Sequence, residues 1–129
     1  MHACRDHHYS HLAAQALGAK PLFVHFGSVA SVYAGTGLGA YAGANDFLSW
    51  FAAHQREQSG LDARAIEWTS WTGVGISRRD ETLGLASWVA PLSLRKGVAL
   101  LRTLLERCPA HPALLVGVDW RDAEVGEFW

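Results

Sequence analysis

Three strand candidates, at residues 22–26, 63–68 and 113–118, the first and last of them short apolar runs, constrain this chain more than any other feature. A strand with one wet face alternates apolar and polar residues, whereas a strand covered on both faces does not. The three are separated by segments with helical periodicity. Residues 40–57 place Phe47, Leu48, Phe51 and Ala52 at helical spacing and end at Ser59 and Gly60. Residues 94–107 carry Val98, Leu101, Leu104 and Leu105 as an inward stripe, closed by Pro109 and Pro112. A further helix is expected over residues 7–17, with Gly18 as its stop. The order helix, strand, helix, strand, helix, strand predicts an α/β fold with about three parallel strands and flanking helices.

Composition narrows the function classes. The chain has 129 residues, enough for one small domain with a core. Half of them are hydrophobic and 18% charged, which argues against disorder. A formal net charge of -1 gives no footprint for nucleic acid or an acidic membrane. Cys4 and Cys108 are too few and too far apart for a disulfide framework. No export signal is read at the N-terminus, and the apolar stretch 23–44 is broken by glycines, serines and His25, so a cytoplasmic protein outside the membrane is expected.

Two hydroxyls stand where chemistry is expected. Ser28 falls at the carboxyl end of the first strand, the end at which open α/β sheets bind ligands. Tyr41 falls in the first turn of the next helix, past a glycine-rich loop, and Asn45 follows one turn later on the same face. Such a pair suits carbonyl reduction: one hydroxyl holds the carbonyl oxygen while the phenol delivers a proton to the forming alkoxide. The plainer alternative is that Ser28 caps a turn and Tyr41 packs at a helix start.

The segments FVHFGSVASV (23–32), YAGANDFLSWFAAHQ (41–55), IEWTSWTGVGIS (66–77), PLSLRKGVALL (91–101) and LLVGVDW (114–120) carry a resemblance. The chain resembles, from about residue 12 to 120, the ketoreductase domains of modular polyketide synthases, within the short-chain dehydrogenase/reductase superfamily. The resemblance implies the C-terminal half of a Rossmann-like doubly wound sheet. It also implies NADPH-dependent reduction of a β-ketoacyl thioester, carried on the phosphopantetheine arm of an acyl carrier protein, to the β-hydroxyacyl thioester. Ser28, Tyr41 and Asn45 would then be catalytic. Gly27, Trp68, Trp71, Thr72, Gly73 and Val74 would meet the cofactor. Tyr33, Leu38 and Gly39 would face the substrate, and residues 82–89 would form a lid.

Departures from the family pattern accompany the likeness. The usual lysine before the serine strand would fall near Cys4 or Arg5, and Arg5 does not release a proton at ordinary pH. Gly27 stands where a second serine is common, and Thr69 and Ser70 replace Gly-Pro. No strand and glycine-rich turn for the cofactor's phosphates precedes residue 22. Residues 1–129 therefore read as a partial ketoreductase domain that lacks its N-terminal half, silent alone or completed by a complementary half or larger synthase.

Three other readings compete. Gly35, Gly37 and Gly39, with Glu67 ending the next strand, imitate a dinucleotide fingerprint, but too far beyond the first strand for phosphates to meet the helix. Cys4, His7, His8 and His11 share spacing with metal ligands, yet no metal is expected. A non-catalytic structural remnant of a synthase is the main rival. His25 reads as a satisfied core histidine, and residues 78–81 as a solvated charged run.

Overall fold

The computed structural model of the chain describes residues 12, 16, 21–33, 35–74, 89–107 and 113–117. Its main sheet holds β1 (Leu22–Ser28), β2 (Asp62–Trp68) and β5 (Ala113–Val116), parallel and in the order β1-β2-β5. A second parallel pair joins β3 (Trp71–Thr72) to β4 (Leu92–Ser93). Helix α1 (Gly39–Ser59) links β1 to β2, and helix α2 (Leu94–Arg107) precedes β5. The predicted parallel α/β arrangement is observed. Leu12 and Ala16 are helical, and the rest of the expected first helix lies outside the described residues.

Strand β2 is the centre of the packing, buried from Ala63 to Trp68. Its pleat divides the core in two. Ala63 and Ala65 pack with Ala52 of α1 and with Phe23, small side chains that let helix and sheet approach closely. Ile66 and Trp68 join Leu92 and Val116 on the other face, with Val24, Trp71, Leu101 and Leu104 against them. Truncating the fully buried Ile66 to Ala removes contacts worth about 2–5 kcal/mol at such positions.

Helix α1 ends as its sequence requires. Gly60 adopts a left-handed φ of 62°, and its N–H bonds to the carbonyls of Arg56 and Gln55. A residue with a Cβ resists that conformation. His25 is buried and bonded through Nε2 to Gln55 Oε1 at 2.7 Å, the satisfied core histidine expected.

Three expectations are corrected. β1 runs on to Ser28, and it is not covered on both faces: Phe26 is 53% exposed at the edge of the described sheet. Val98 does not face inward but is 54% exposed. Its neighbour Gly97 takes the inner place, because the Trp71 ring lies where a Cβ would stand, at 2.6 Å. The last strand stops at Val116, where Gly117 turns the chain with φ 88°.

Candidate active site

The carboxyl ends of β1 and β2 lie side by side, with Gly27 opposite Glu67 and Ser28 opposite Trp68. A short 3-10 turn, Val29–Ser31, leaves β1 and leads by way of 35–38 to α1. Ser28 Oγ accepts a hydrogen bond from Ala30 N at 3.2 Å and so caps that turn. Capping uses an oxygen lone pair only, so the hydroxyl proton stays available for donation. The turn-capping role and a carbonyl-binding role are therefore compatible in one side chain.

Tyr41 lies in the first turn of α1 and is 48% exposed. Asn45 is buried and donates from Nδ2 to the backbone oxygen of Tyr41 at 2.7 Å, which fixes the turn that carries the phenol. Tyr33 follows the 3-10 turn, its N–H bonded to Val29 O at 2.9 Å. Leu38 is the residue before α1, and Gly39 opens the helix. The glycines at 35, 37 and 39 are separated from β1 by the 3-10 turn, so they do not form the strand-turn-helix junction of a phosphate site.

On the β2 side, Trp68 is buried and meets the Trp71 ring edge-on at 5.0 Å. Its Nε1 is buried with no hydrogen-bond partner among the described residues. Thr72 and Gly73 are exposed, and Gly73 has φ 77° with open space where a Cβ would stand. Val74 is half-buried beside them. A flat ring can approach this open backbone. Thr69 does a different job: it is buried, bonds Ala90 O through Oγ1 at 2.9 Å and takes its N–H to Val116 O at 3.2 Å. It ties β2 to the segments around β4 and β5.

Glu67 is the residue that sequence reasoning did not single out for the site. Only 2% exposed, its carboxylate accepts from Ser31 Oγ at 3.1 Å and from Ser49 Oγ. Burial pushes its pKa up, and the hydrogen bonds from Ser49 and Ser31 oppose that shift. Gly27 makes the space, since a Cβ there would collide with the Glu67 carboxylate. One signal was in the sequence: a glutamate near the end of a strand candidate whose other charged residue is Arg64.

An open groove of about 420 Å³ lies elsewhere on α1, lined by Gly43, Asp46, Phe47, Trp50, Phe51 and His54. Neither Ser28 nor Tyr41 lines it. The Cys4–His11 cluster, Arg5 and the charged run 78–81 lie outside the described residues, as does the expected lid apart from Val89, which is buried. No described helix is long and apolar enough to cross a membrane.

Comparison with known proteins agrees with the parallel α/β fold. Residues 10–73 match the KR domain family. Polyketide synthase GfsA of Streptomyces halstedii is 48% identical over 69 residues, which are 53% of this chain and 1% of that protein. Erythronolide synthase EryA3 of Saccharopolyspora erythraea is 29% identical over 123 residues, 88% of this chain and 4% of the synthase. A solved C2-type ketoreductase from a modular polyketide synthase superposes with a TM-score of 0.69 at 29% identity. That likeness covers 89% of this chain and 24% of the solved one, so the chain spans a small part of each relative.

Proposed function

The chain belongs to the KR domain family and is part of such a domain, and from that premise we propose that it contributes the reacting hydroxyls for reduction of a β-ketoacyl thioester to a β-hydroxyacyl thioester. The observation that carries the reading is the placement of Ser28 at the carboxyl end of a parallel strand and of Tyr41 in the first turn of the helix that follows.

In this reading Ser28 Oγ–H donates to the β-carbonyl oxygen and holds it. NADPH, when bound, supplies the hydride that attacks the carbonyl carbon. Tyr41 Oη–H gives its proton to the alkoxide that forms, so one C–H and one O–H bond are made as the C=O double bond becomes single. Asn45 keeps the Tyr41 turn in place. The exposed backbone at Thr72 and Gly73, beside Trp68 and Trp71, fits the flat face of a nicotinamide, and Gly27 and Val74 would flank it. Tyr33, Leu38 and Gly39 would line the acyl side.

The described residues hold no strand and glycine turn opening a helix, the device that binds a cofactor's phosphates. We therefore assign that task to a further segment, in the same polypeptide or a partner chain, which would also cover the edge of β1. An acyl carrier protein would present the substrate, in the cytoplasm.

The test is reconstitution with a phosphate-binding half taken from a solved ketoreductase, followed by Tyr41→Phe. Loss of alcohol formation by about 10²-fold or more, with NADPH affinity unchanged, is the expected result. Equal rates in both proteins would instead favour a non-catalytic structural piece of a synthase, in which the Ser28 cap is the whole of its role.

A further inference from the structure

We propose that Glu67 is a positioning residue that fixes the Ser28 hydroxyl and the Tyr41-bearing helix in one frame. The inference rests on the reading of Ser28 and Tyr41 as the reacting pair and adds to it a residue outside that pair.

The carboxylate sits at the last-but-one position of β2, buried, and no described cation pairs with it. A buried carboxylate without a counter-ion is a poor stabiliser, and an apolar side chain of similar size would serve the packing better. Its neighbours explain its presence. Ser31 donates from the 3-10 turn and Ser49 from the middle of α1, while the β1 backbone at Gly27 lies against the carboxylate. Three elements that are separate in the chain thus converge on a single group.

Each tether bears on the reacting pair. Ser31, which bonds Glu67, belongs to the 3-10 turn that Ser28 Oγ caps through Ala30 N, so the carboxylate and the cap together set where the hydroxyl stands. Ser49 lies eight residues beyond Tyr41 on the same continuous helix, about 12 Å along its axis. A rigid helix held there transmits its position to its first turn. Gly27 completes the arrangement, because any Cβ at that place would displace the carboxylate. Catalysis by oriented hydroxyls is sensitive to displacements of about 1 Å.

The experiment compares Glu67→Leu, Glu67→Gln and Ser49→Ala in the reconstituted reductase, and follows the Ser28 amide by NMR hydrogen exchange in the full chain. Glu67→Leu is expected to lower kcat about tenfold or more while NADPH affinity stays within about twofold. Glu67→Gln is expected to keep most of kcat, since its amide oxygen still accepts and a serine hydroxyl turns to accept from its NH₂. Ser49→Ala, a milder change should the leucine variant fail to fold, is expected to lower kcat about threefold at constant NADPH affinity. In either of those kcat-lowering variants that folds, Ser28 amide exchange speeds in Glu67→Leu and stays as in the parent in Ser49→Ala, where the Ser31–Glu67 bond beside it remains.

A wild-type reaction abolished by Tyr41→Phe but untouched by both Glu67→Leu and Ser49→Ala would overturn the positioning role and leave the proposed function standing. Unchanged Ser28 exchange in Glu67→Leu would overturn it as well, whatever the activity. Faster Ser28 exchange in a protein that reduces nothing would retire the function and keep the tether.

Discussion

Strand β2 carries an acid near each end, and the two are handled in opposite ways. Asp62 begins the strand, part-exposed, between Arg56 Nη1 at 3.0 Å and Arg64 Nη2 at 2.9 Å. The hydrogen bond from Arg64, helped by the charges of both arginines, holds its carboxyl below the ordinary range. Glu67 lies five places on, buried among hydroxyls, and burial raises its pKa. Arg64 also donates to the carbonyls of Leu104 and Leu105, so the amino end of β2 is tied to the last turns of α2. The amino end is built as a charge-paired clamp. The carboxyl end keeps an acid that pairs with no cation among the described residues, next to the residues assigned to the reaction, as expected where local stability yields to placement.

Removing Arg64 is the most damaging way to probe that contrast. Arg64→Ala leaves the helix carbonyls and a carboxylate without their buried partner, and about 3 kcal/mol of stability is expected to go. Urea unfolding would show it as a lower midpoint at constant m-value. The effect belongs to the amino end alone, so Ser28 amide exchange measured relative to global unfolding should not change. A loss below about 1 kcal/mol would mean that the clamp is exchanged for water without penalty, and the two ends would differ less than their geometry says.

The acids also predict opposite pH dependence. Glu67 has a raised folded pKa, so the folded state binds its proton more readily than the unfolded chain does. Its contribution therefore grows as pH falls through the raised value towards the ordinary 4.5, and is lost as pH rises. Asp62 has a lowered folded pKa, so its contribution is present above the ordinary 3.8 and is lost as pH falls through the folded value. Melting temperature against pH should show both limbs. Glu67→Gln is expected to flatten the limb above 4.5 and leave the acid limb, and Asp62→Asn to do the reverse. A single variant that flattened both limbs would show that the two ends titrate as one unit.

How much of this was legible follows from the range of the interactions. The three strands were legible because each is a short, mostly apolar segment between helical patterns, although β1 leaves Phe26 exposed and β2 buries Arg64 and Glu67. The end of α1 was legible because Ser59 and Gly60 act within one turn. The placing of Ser28 and Tyr41 on their elements was legible for the same local reason. The inward face of α2 was not, since Gly97 replaces Val98 there only because Trp71 arrives from a different segment. Glu67 was missed on like grounds. Its cradle at Gly27 is forty residues away in the chain and becomes a neighbour only through the parallel register. The two-residue strands β3 and β4 carry no periodicity to read.

The smallest effect sharpens the comparison from its other side. Arg56 shares Asp62 with Arg64, but its bond is on the part-exposed side of the clamp, in the last turn of α1. An exposed pair of this kind contributes about 0.5 kcal/mol, to which the favourable placement of a cation at a helix C-terminus adds a few tenths. Arg56→Ala should therefore cost about 0.5–1 kcal/mol, and the loss should shrink in high salt, whereas the Arg64→Ala loss should not. The exposed Arg102–Glu106 pair on α2, at 2.8 Å, is the internal reference, with about 0.3–0.5 kcal/mol expected for Arg102→Ala. If Arg56→Ala cost as much as Arg64→Ala and resisted salt equally, the strength of the amino end would come from opposite charge itself and not from burial. The lack of an opposite charge beside Glu67 among the described residues, and not its burial, would then account for the contrast.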